Sequence, residues 1–331
     1  MMRRGLALGI TLFLSGLLGA ATAEAQQATK FARIGYLGSK ISVPQNHEAF
    51  LQGLRELGYV EGRNVAIEYR DPQGRVERLP ALMGELVALK VDVIFAPITP
   101  YALAAKQAAT TIPIVFVSLD AVASGIVSSL ARPGGNLTGL SGLFPELVGK
   151  WLELLRQTVP GVSQIAVLWQ PGAYPERVER EMLKVAEVAG RALNVRLQIV
   201  EARGPADIDR AFVEMTKARV GALAVFPGQM LIRERRRLVD LAAKHRLPAV
   251  YSVTEYVVDA GGLMSYGANV PDLHRRAAVY VDRILKGAKP GDLPIEQPTK
   301  FELLVNLNAA RAIGLTIPPS VVARADRVIE K

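Results

Sequence analysis

The sequence predicts an α/β protein built as two doubly wound lobes, each a parallel sheet between layers of helix. Short β-rich runs alternate with longer helical patterns along almost the whole chain, and several of those runs are near-continuously apolar. Near-continuous apolar strands imply burial on both faces, as a parallel sheet covered by crossover helices requires. The rhythm also restarts once near the middle, giving two successive βαβα blocks of ordinary domain size.

The first block opens with a strand at 31–37 (FARIGYL). A helix follows at 45–57, with Phe50, Leu54 and Leu57 on one face and Gly58 placed to end it. Next come a strand at 64–69, a helix through 79–89 and a strand at 91–96. Pro100 starts another helix, and 112–118 (IPIVFVS) is the following strand. The second block begins with a strand at 164–169 (QIAVLW). Its first helix turns Val178, Met182, Val185 and Ala189 inward and pairs Glu176 with Arg180 and Glu187 with Arg191 outside. Strands at 195–200, 221–226 and 248–251 alternate with a helix after Pro205 and one ending near His245. Beyond them Asn269 caps a helix with Pro271 and Asp272 in its first turn, running to Gly287. A Pro/Gly-rich break at 289–298 then leads to a last strand at 301–307. Such a tail is surplus to two lobes joined once and useful to two lobes joined several times.

The N-terminus predicts export. Arg3 and Arg4 precede an uncharged apolar run at 6–19, and the small residues at 21–23 (ATA) and 23–25 (AEA) both fit a cleavage site. The run is shorter than the roughly 20 residues needed to span a bilayer. Residues 1–25 are therefore expected to be a signal peptide, cut after Ala25 or Ala23, and the mature protein to be periplasmic. The chain has no cysteine, so it carries no disulfide and its fold rests on its own core. The formal charge is +9, with the densest basic run at Arg233, Arg235, Arg236 and Arg237. On one helix Leu231, Leu238 and Ala242 would share the apolar face, leaving Arg233, Arg236 and Arg237 in solvent. The other reading of that run is contact with an anionic membrane surface or partner. No zinc spacing, recognition helix or aromatic stacking motif accompanies it, so no nucleic-acid partner is expected.

Catalytic signatures are missing. His47, His245 and His274 are far apart in sequence and none lies near a second metal ligand, so surface or helix-face roles are expected and no metal. There is no Gly-x-Ser-x-Gly, His-Glu-x-x-His or GxGxxG motif. Gly149-Lys150 is followed by Trp151 where a phosphate loop needs Ser or Thr. The sequence thus predicts no catalytic residue, no cofactor and no enzyme. What remains is a set of loops at the carboxyl ends of strands, where open α/β sheets bind ligands. Candidate binding residues are Gly38 and Ser39, then Thr99, Pro100 and Tyr101, then Ser118 and Asp120. The second block supplies Gln170 and Tyr174, Gly228 and Gln229, and Ser252 and Glu255. Each has a plainer alternative: Thr99 as a helix start, Asp120 as a turn former, Tyr101 as core.

Several stretches carry a family likeness: LRELGYVEGRNVAIEYR (54–70), AAKQAATTIPIVFV (104–117), LARPGGNLTGLSG (130–142), LPAVY (247–251) and AGGLMSYGANVPDLHRRAA (260–278). Together they resemble the substrate-binding proteins of ABC transporters that include the tryptophan-binding protein of Gram-positive bacteria. The resemblance implies the type I periplasmic-binding fold, two α/β lobes joined by three crossings. Lobe 1 would comprise 26–141 plus 267–290 and lobe 2 would comprise 142–266 plus 291–331. It further implies a monomer that closes on a small molecule, an amino acid or related organic acid, and passes it to an ABC permease at the inner membrane. Asp120 would accept from the ligand's donor group, and the turn at Thr99 would hold its acidic group. The family's turns at 97–100 and 119–122 differ here at Ile98, Leu119 and Ala121. Rival readings are a ligand-presenting sensor for a membrane kinase, an exported α/β enzyme, and a repressor of the same fold, which would carry a helix-turn-helix in front.

Overall fold

The computed structural model describes residues 31–38 and 43–330; the expected signal peptide and Ser39 lie outside them. The first block folds as β1 (Ala32–Leu37), α1 (Pro44–Glu56), β2 (Val65–Arg70), α2 (Leu79–Ala88) and β3 (Val93–Ala96). It continues with α3 (Thr99–Ala108), β4 (Ile114–Ser118) and β5 (Leu137–Ser141). The second block runs α4 (Phe144–Thr158), β6 (Gln164–Trp169), α5 (Glu176–Ala192), β7 (Arg196–Glu201), α6 (Asp207–Lys217) and β8 (Ala222–Val225). After it come α7 (Gln229–Arg233), α8 (Arg235–Lys244), β9 (Ala249–Tyr251), α9 (Glu255–Val258) and β10 (Met264–Ala268). The tail supplies α10 (Val270–Leu285), β11 (Phe301–Asn306), α11 (Leu307–Ala312), α12 (Pro319–Val322) and β12 (Arg327–Ile329).

Two sheets result, one per lobe. The first has the order β2-β1-β3-β4-β5 and is parallel throughout. Its inner strands β3 and β4 are buried along their whole length because helices cover both faces. Phe50 and Leu54 of α1 pack with Leu273, Ala277 and Val281 of α10 on one side. Met83 and Leu86 of α2 pack with Ala102 and Ala105 of α3 on the other. The second sheet has the order β12-β11-β10-β9-β8-β6-β7. It departs from the expected parallel arrangement at one place, where β10 and β11 run antiparallel. Strand β11 enters from the other lobe rather than through a helix laid on its own sheet, so the handed βαβ crossover does not set its direction.

The chain passes between the lobes three times: between β5 and α4, between β10 and α10, and between α10 and β11. Helix α10 is the returning element. Its approach to α1 is close enough that a Cβ on Gly53 would sit 2.4 Å from the Arg275 carbonyl oxygen. Only glycine fits there without moving one helix. The Asn269 side chain accepts from the Asp272 N–H at 2.9 Å, capping α10 as the sequence predicts. The third passage is tied down beside β5, where Ser141 N–H donates to the Glu296 carbonyl and Thr138 Oγ1 donates to the Leu293 carbonyl.

Seven elements are not predicted by the sequence reading: β5, α4, α9, β10, α11, α12 and β12. The single helix expected to end near His245 is two, broken at Glu234. The Arg235 side chain takes the Ile232 carbonyl at 3.1 Å, satisfying a group the continuing helix would have used. His47 and His274, expected on surfaces or helix faces, are buried. His47 meets the Tyr69 hydroxyl at 2.9 Å, and His274 stands edge-on to Phe95.

Candidate functional site

Strand order places the site. In the first sheet the chain reverses its direction of addition between β1 and β3, and in the second between β6 and β8. At such switch points neighbouring loops at the carboxyl ends of the strands part and leave a crevice. The two crevices meet in one cleft between the lobes, with about 990 Å³ of space, part of it open to solvent. From the first lobe it is lined by the loops after β1, β2, β3 and β4 and by the starts of α1 and α10. From the second it is lined by Phe144, Tyr174, the β8–α7 turn and the start of α9.

Seven of the expected residues line this cleft: Gly38, Thr99, Tyr101, Ser118, Tyr174, Gln229 and Glu255. Gly38 adopts φ +142, and a Cβ there would press on the Tyr36 ring at 2.8 Å. Thr99 is buried and its Oγ1 accepts from the Leu119 N–H at 3.0 Å, joining the β3 and β4 loops. Burial pushes the Tyr101 hydroxyl pKa up to about 12, so it enters the site as a neutral phenol. Ser118 Oγ is buried without a hydrogen-bond partner.

Five expected residues stand outside the lining. Asp120 does not face the cleft; its Oδ1 accepts from the Val122 N–H at 3.0 Å and the Ala123 N–H at 2.8 Å, which makes it the turn former. Pro100 fixes the first turn of α3 and has no N–H to offer a ligand. Gln170 and Gly228 serve α7. Gln170 Oε1 accepts from the Met230 N–H at 3.1 Å, and a Cβ on Gly228 would come within 2.9 Å of that same oxygen. Ser252 is buried behind the lining at the end of β9.

The cleft also gathers residues that the sequence reading left out. Asn46, in the first turn of α1, donates through Nδ2 to Glu255 Oε1 at 3.1 Å, across the two lobes. Gln45 beside it donates to Asp259 Oδ2 at 3.0 Å, again across the lobes. Arg233, expected in solvent, lines the cleft with its guanidinium 4.0 Å from Asp71 of the first lobe. The helix break at Glu234 takes it off the wet face of α8. His274 Nδ1 meets the Val270 carbonyl at 3.0 Å. A carbonyl only accepts, so Nδ1 carries the proton; burial lowers the ring's pKa to about 4, and Nε2 remains an acceptor. Aromatic rings complete the walls: Tyr36, Tyr101, Tyr174 and Phe144. In the sequence Asn46 stands in the first turn of the helix expected at 45–57 and carries no binding signal of its own.

Electrostatically the cleft is apolar with a few charges fixed at its edges. Glu255 is 2% exposed, and burial raises its carboxyl pKa above the ordinary value. Arg235, the cation nearest to it in this part of the second lobe, is held by Asp259 at 3.3 Å. A concave apolar pocket with a small number of fixed polar groups is the usual form of a small-molecule site.

Two α/β lobes, three passages between them and a cleft lined from both sides define a two-lobed solute-binding protein of the type I periplasmic class. The chain belongs to the ABC transporter substrate binding protein family, whose model matches residues 39–329. It is 24% identical over 278 residues to the tyrosine-binding protein of Clostridioides difficile, covering 83% of this chain and 78% of that one. Among solved structures it is similar to a conserved domain protein from Vibrio cholerae, with 28% identity and a TM-score of 0.82 over 90% of this chain and 100% of that one. It is also similar to the ABC domain from Streptococcus pneumoniae in complex with L-Trp, with 26% identity and a TM-score of 0.81 over 90% of this chain and 99% of that one.

Proposed function

We propose that this chain is an exported receptor that binds an amino acid with an apolar or aromatic side chain between its lobes and delivers it to an ABC permease. The observation that carries the reading is the composition of the cleft. Aromatic walls face fixed polar groups of both signs, Glu255 with Asn46 on one hand and Arg233 on the other. An α-amino acid carries the complementary set: a cationic amine, a carboxylate and a side chain to be buried. The relatives named for tyrosine binding and the structure holding L-Trp support the same class of ligand. Arg233 replaces the Thr99 turn as the group that meets the carboxylate, since a guanidinium matches a carboxylate in charge and shape.

Binding works by closure. A ligand touching both lobes stabilises the form in which they meet, and the permease recognises that form. The hinge lies in the three passages, near 140–143, 265–269 and 290–300. The receptor acts as a monomer and does no chemistry on its cargo. Among the described residues no helix is long and apolar enough to cross a membrane. With residues 1–25 as a cleaved leader, the protein works in the periplasm; N-terminal sequencing of the exported fraction is expected to start at Gln26 or Glu24, and a start at Met1 contradicts export with cleavage.

Thermal denaturation in the presence of each amino acid tests the ligand class, because a ligand that binds only the folded state raises the melting temperature. Aromatic and large apolar amino acids are expected to raise it in a concentration-dependent way. Equal melting curves with all of them would overturn the proposal.

A further inference from the structure

Glu255 and Asn46 meet across the cleft, one from each lobe. Glu255 is 2% exposed and Asn46 8%. A carboxylate only accepts, so Asn46 must turn its nitrogen toward Glu255, as the 3.1 Å Nδ2–Oε1 contact records. That fixes Asn46 Oδ1 away from Glu255, where it is buried and has no partner. The second Glu255 oxygen takes the Thr254 hydroxyl at 3.5 Å, and the carboxyl also accepts from the backbone N–H of Glu255 itself. Ser118 Oγ, on the cleft wall of the first lobe, is likewise buried and unpartnered. The cleft therefore presents the Asn46 amide oxygen without a donor, beside the Glu255 carboxyl group. Leaving such groups dry and unpaired is costly, and a neutral hydroxyl brings one hydrogen where at least two acceptors wait.

We propose that Glu255 and Asn46 form the subsite for the ligand's ammonium group, each lobe supplying one of the acceptors. The assignment rests on the cleft being the binding site and deepens that reading. It names the selected chemistry: a primary amine with three donors and a positive charge. It also makes amine recognition and lobe closure one event, because the two acceptors share a donor only when the lobes meet. Ligands with the same side chain and carboxylate but no amine lose this term.

The test uses the mature protein, its Glu255→Gln and Asn46→Ala variants, and three kinds of probe measured by calorimetry at neutral pH. The probes are L-tryptophan and L-tyrosine, their deamino acids (indole-3-propionate and 4-hydroxyphenylpropionate), and their decarboxylated amines (tryptamine and tyramine). Glu255→Gln keeps the shape and removes the charge. It is expected to weaken amino-acid binding about 10- to 100-fold, the range of a charge-assisted hydrogen bond, without lowering the apo melting temperature. Asn46→Ala is expected to weaken the amine-bearing probes selectively, and it decides the matter if the glutamine variant does not fold. Deamino acids are expected to bind the wild type more weakly than the amino acids do and to be indifferent to Glu255→Gln. Amino acids that bind the variants as tightly as the wild type overturn the subsite while leaving the proposed function standing. Amines that bind in a Glu255-dependent way while amino acids do not would overturn the proposed function and support the subsite. Binding of the deamino acids alone, or of none of the probes, overturns the subsite.

Discussion

Removing the Asp120 carboxylate takes the acceptor from the Val122 and Ala123 amides and leaves the cleft lining as it was. Asp120→Ala is therefore expected to lower apo stability by about 1 kcal/mol, as loss of a capping side chain does, with ligand affinity within about two-fold; a urea titration beside a ligand titration separates the two. The sequence could not distinguish a turn former from a binding carboxylate, because both follow a strand in a polar loop. It does place Glu255 shortly after a strand, where α9 begins, but the partner Asn46 sits 209 positions away and only folding brings them together. His274 gives a pH signature. Its ring stays neutral in the fold to about pH 4, whereas an unfolded chain's imidazole takes a proton near 6.5. The stability held by the neutral ring is present above 6.5 and lost as pH falls toward 4, by up to about 3 kcal/mol at 1.36 kcal/mol per unit. Glu255 acts with the opposite sign: the fold retains its proton more tightly than the unfolded chain, so this group favours the apo fold as pH falls and opposes it as pH rises. The difference in unfolding free energy between wild type and His274→Asn, followed from pH 7 to pH 4, isolates the histidine and is expected to shrink over that window. A constant difference contradicts the buried neutral ring.

At the scale of elements, the strands legible in the sequence are those buried on both faces. Strands β1, β3, β4, β6 and β8 read as apolar runs, apart from Arg33, Ser118 and Gln164 at or near their ends, because helices cover both of their sides. Strand β5 hides its signal in LTGLS, where Gly139 at φ +150 lies so close to β4 that a Cβ would meet the Phe116 backbone. Strand β12 has no fully buried residue, so its sequence carries no hydrophobic pattern to read. Helix α4 is different: Leu147, Val148, Trp151, Leu152 and Leu155 form a buried stripe at helical spacing, and it was readable. The α1–α10 contact is the element-level feature most open to test. Gly53→Ala would drive a methyl into the Arg275 carbonyl at 2.4 Å, and is expected to cost about 1–3 kcal/mol as overpacking does. Chemical denaturation measures it; a change within 0.5 kcal/mol, roughly the spread of neutral surface substitutions, contradicts the close packing of the returning helix.

For the whole molecule, polar side-chain contacts cross the cleft from Asn46 to Glu255, from Gln45 to Asp259 and from Arg233 toward Asp71, and Leu119 and Ala123 of the first lobe pack against the apolar cluster of the second. Polar contacts of this kind are each worth on the order of 1 kcal/mol, so a ligand that touches both lobes adds a large share of what holds them together. That two lobes and a returning tail exist was legible in the restart of the βα rhythm; which surfaces meet across the cleft was not, because no local pattern encodes a contact between distant loops. The central claim is that an amino acid between the lobes holds them together. Small-angle scattering of the mature protein, titrated with L-tryptophan and with L-tyrosine, measures this most directly. The radius of gyration is expected to fall along a saturable curve for at least one of the two and to stay constant with a non-binding control such as L-aspartate. A radius unchanged at saturating concentrations of both ligands would contradict a receptor that closes on its cargo.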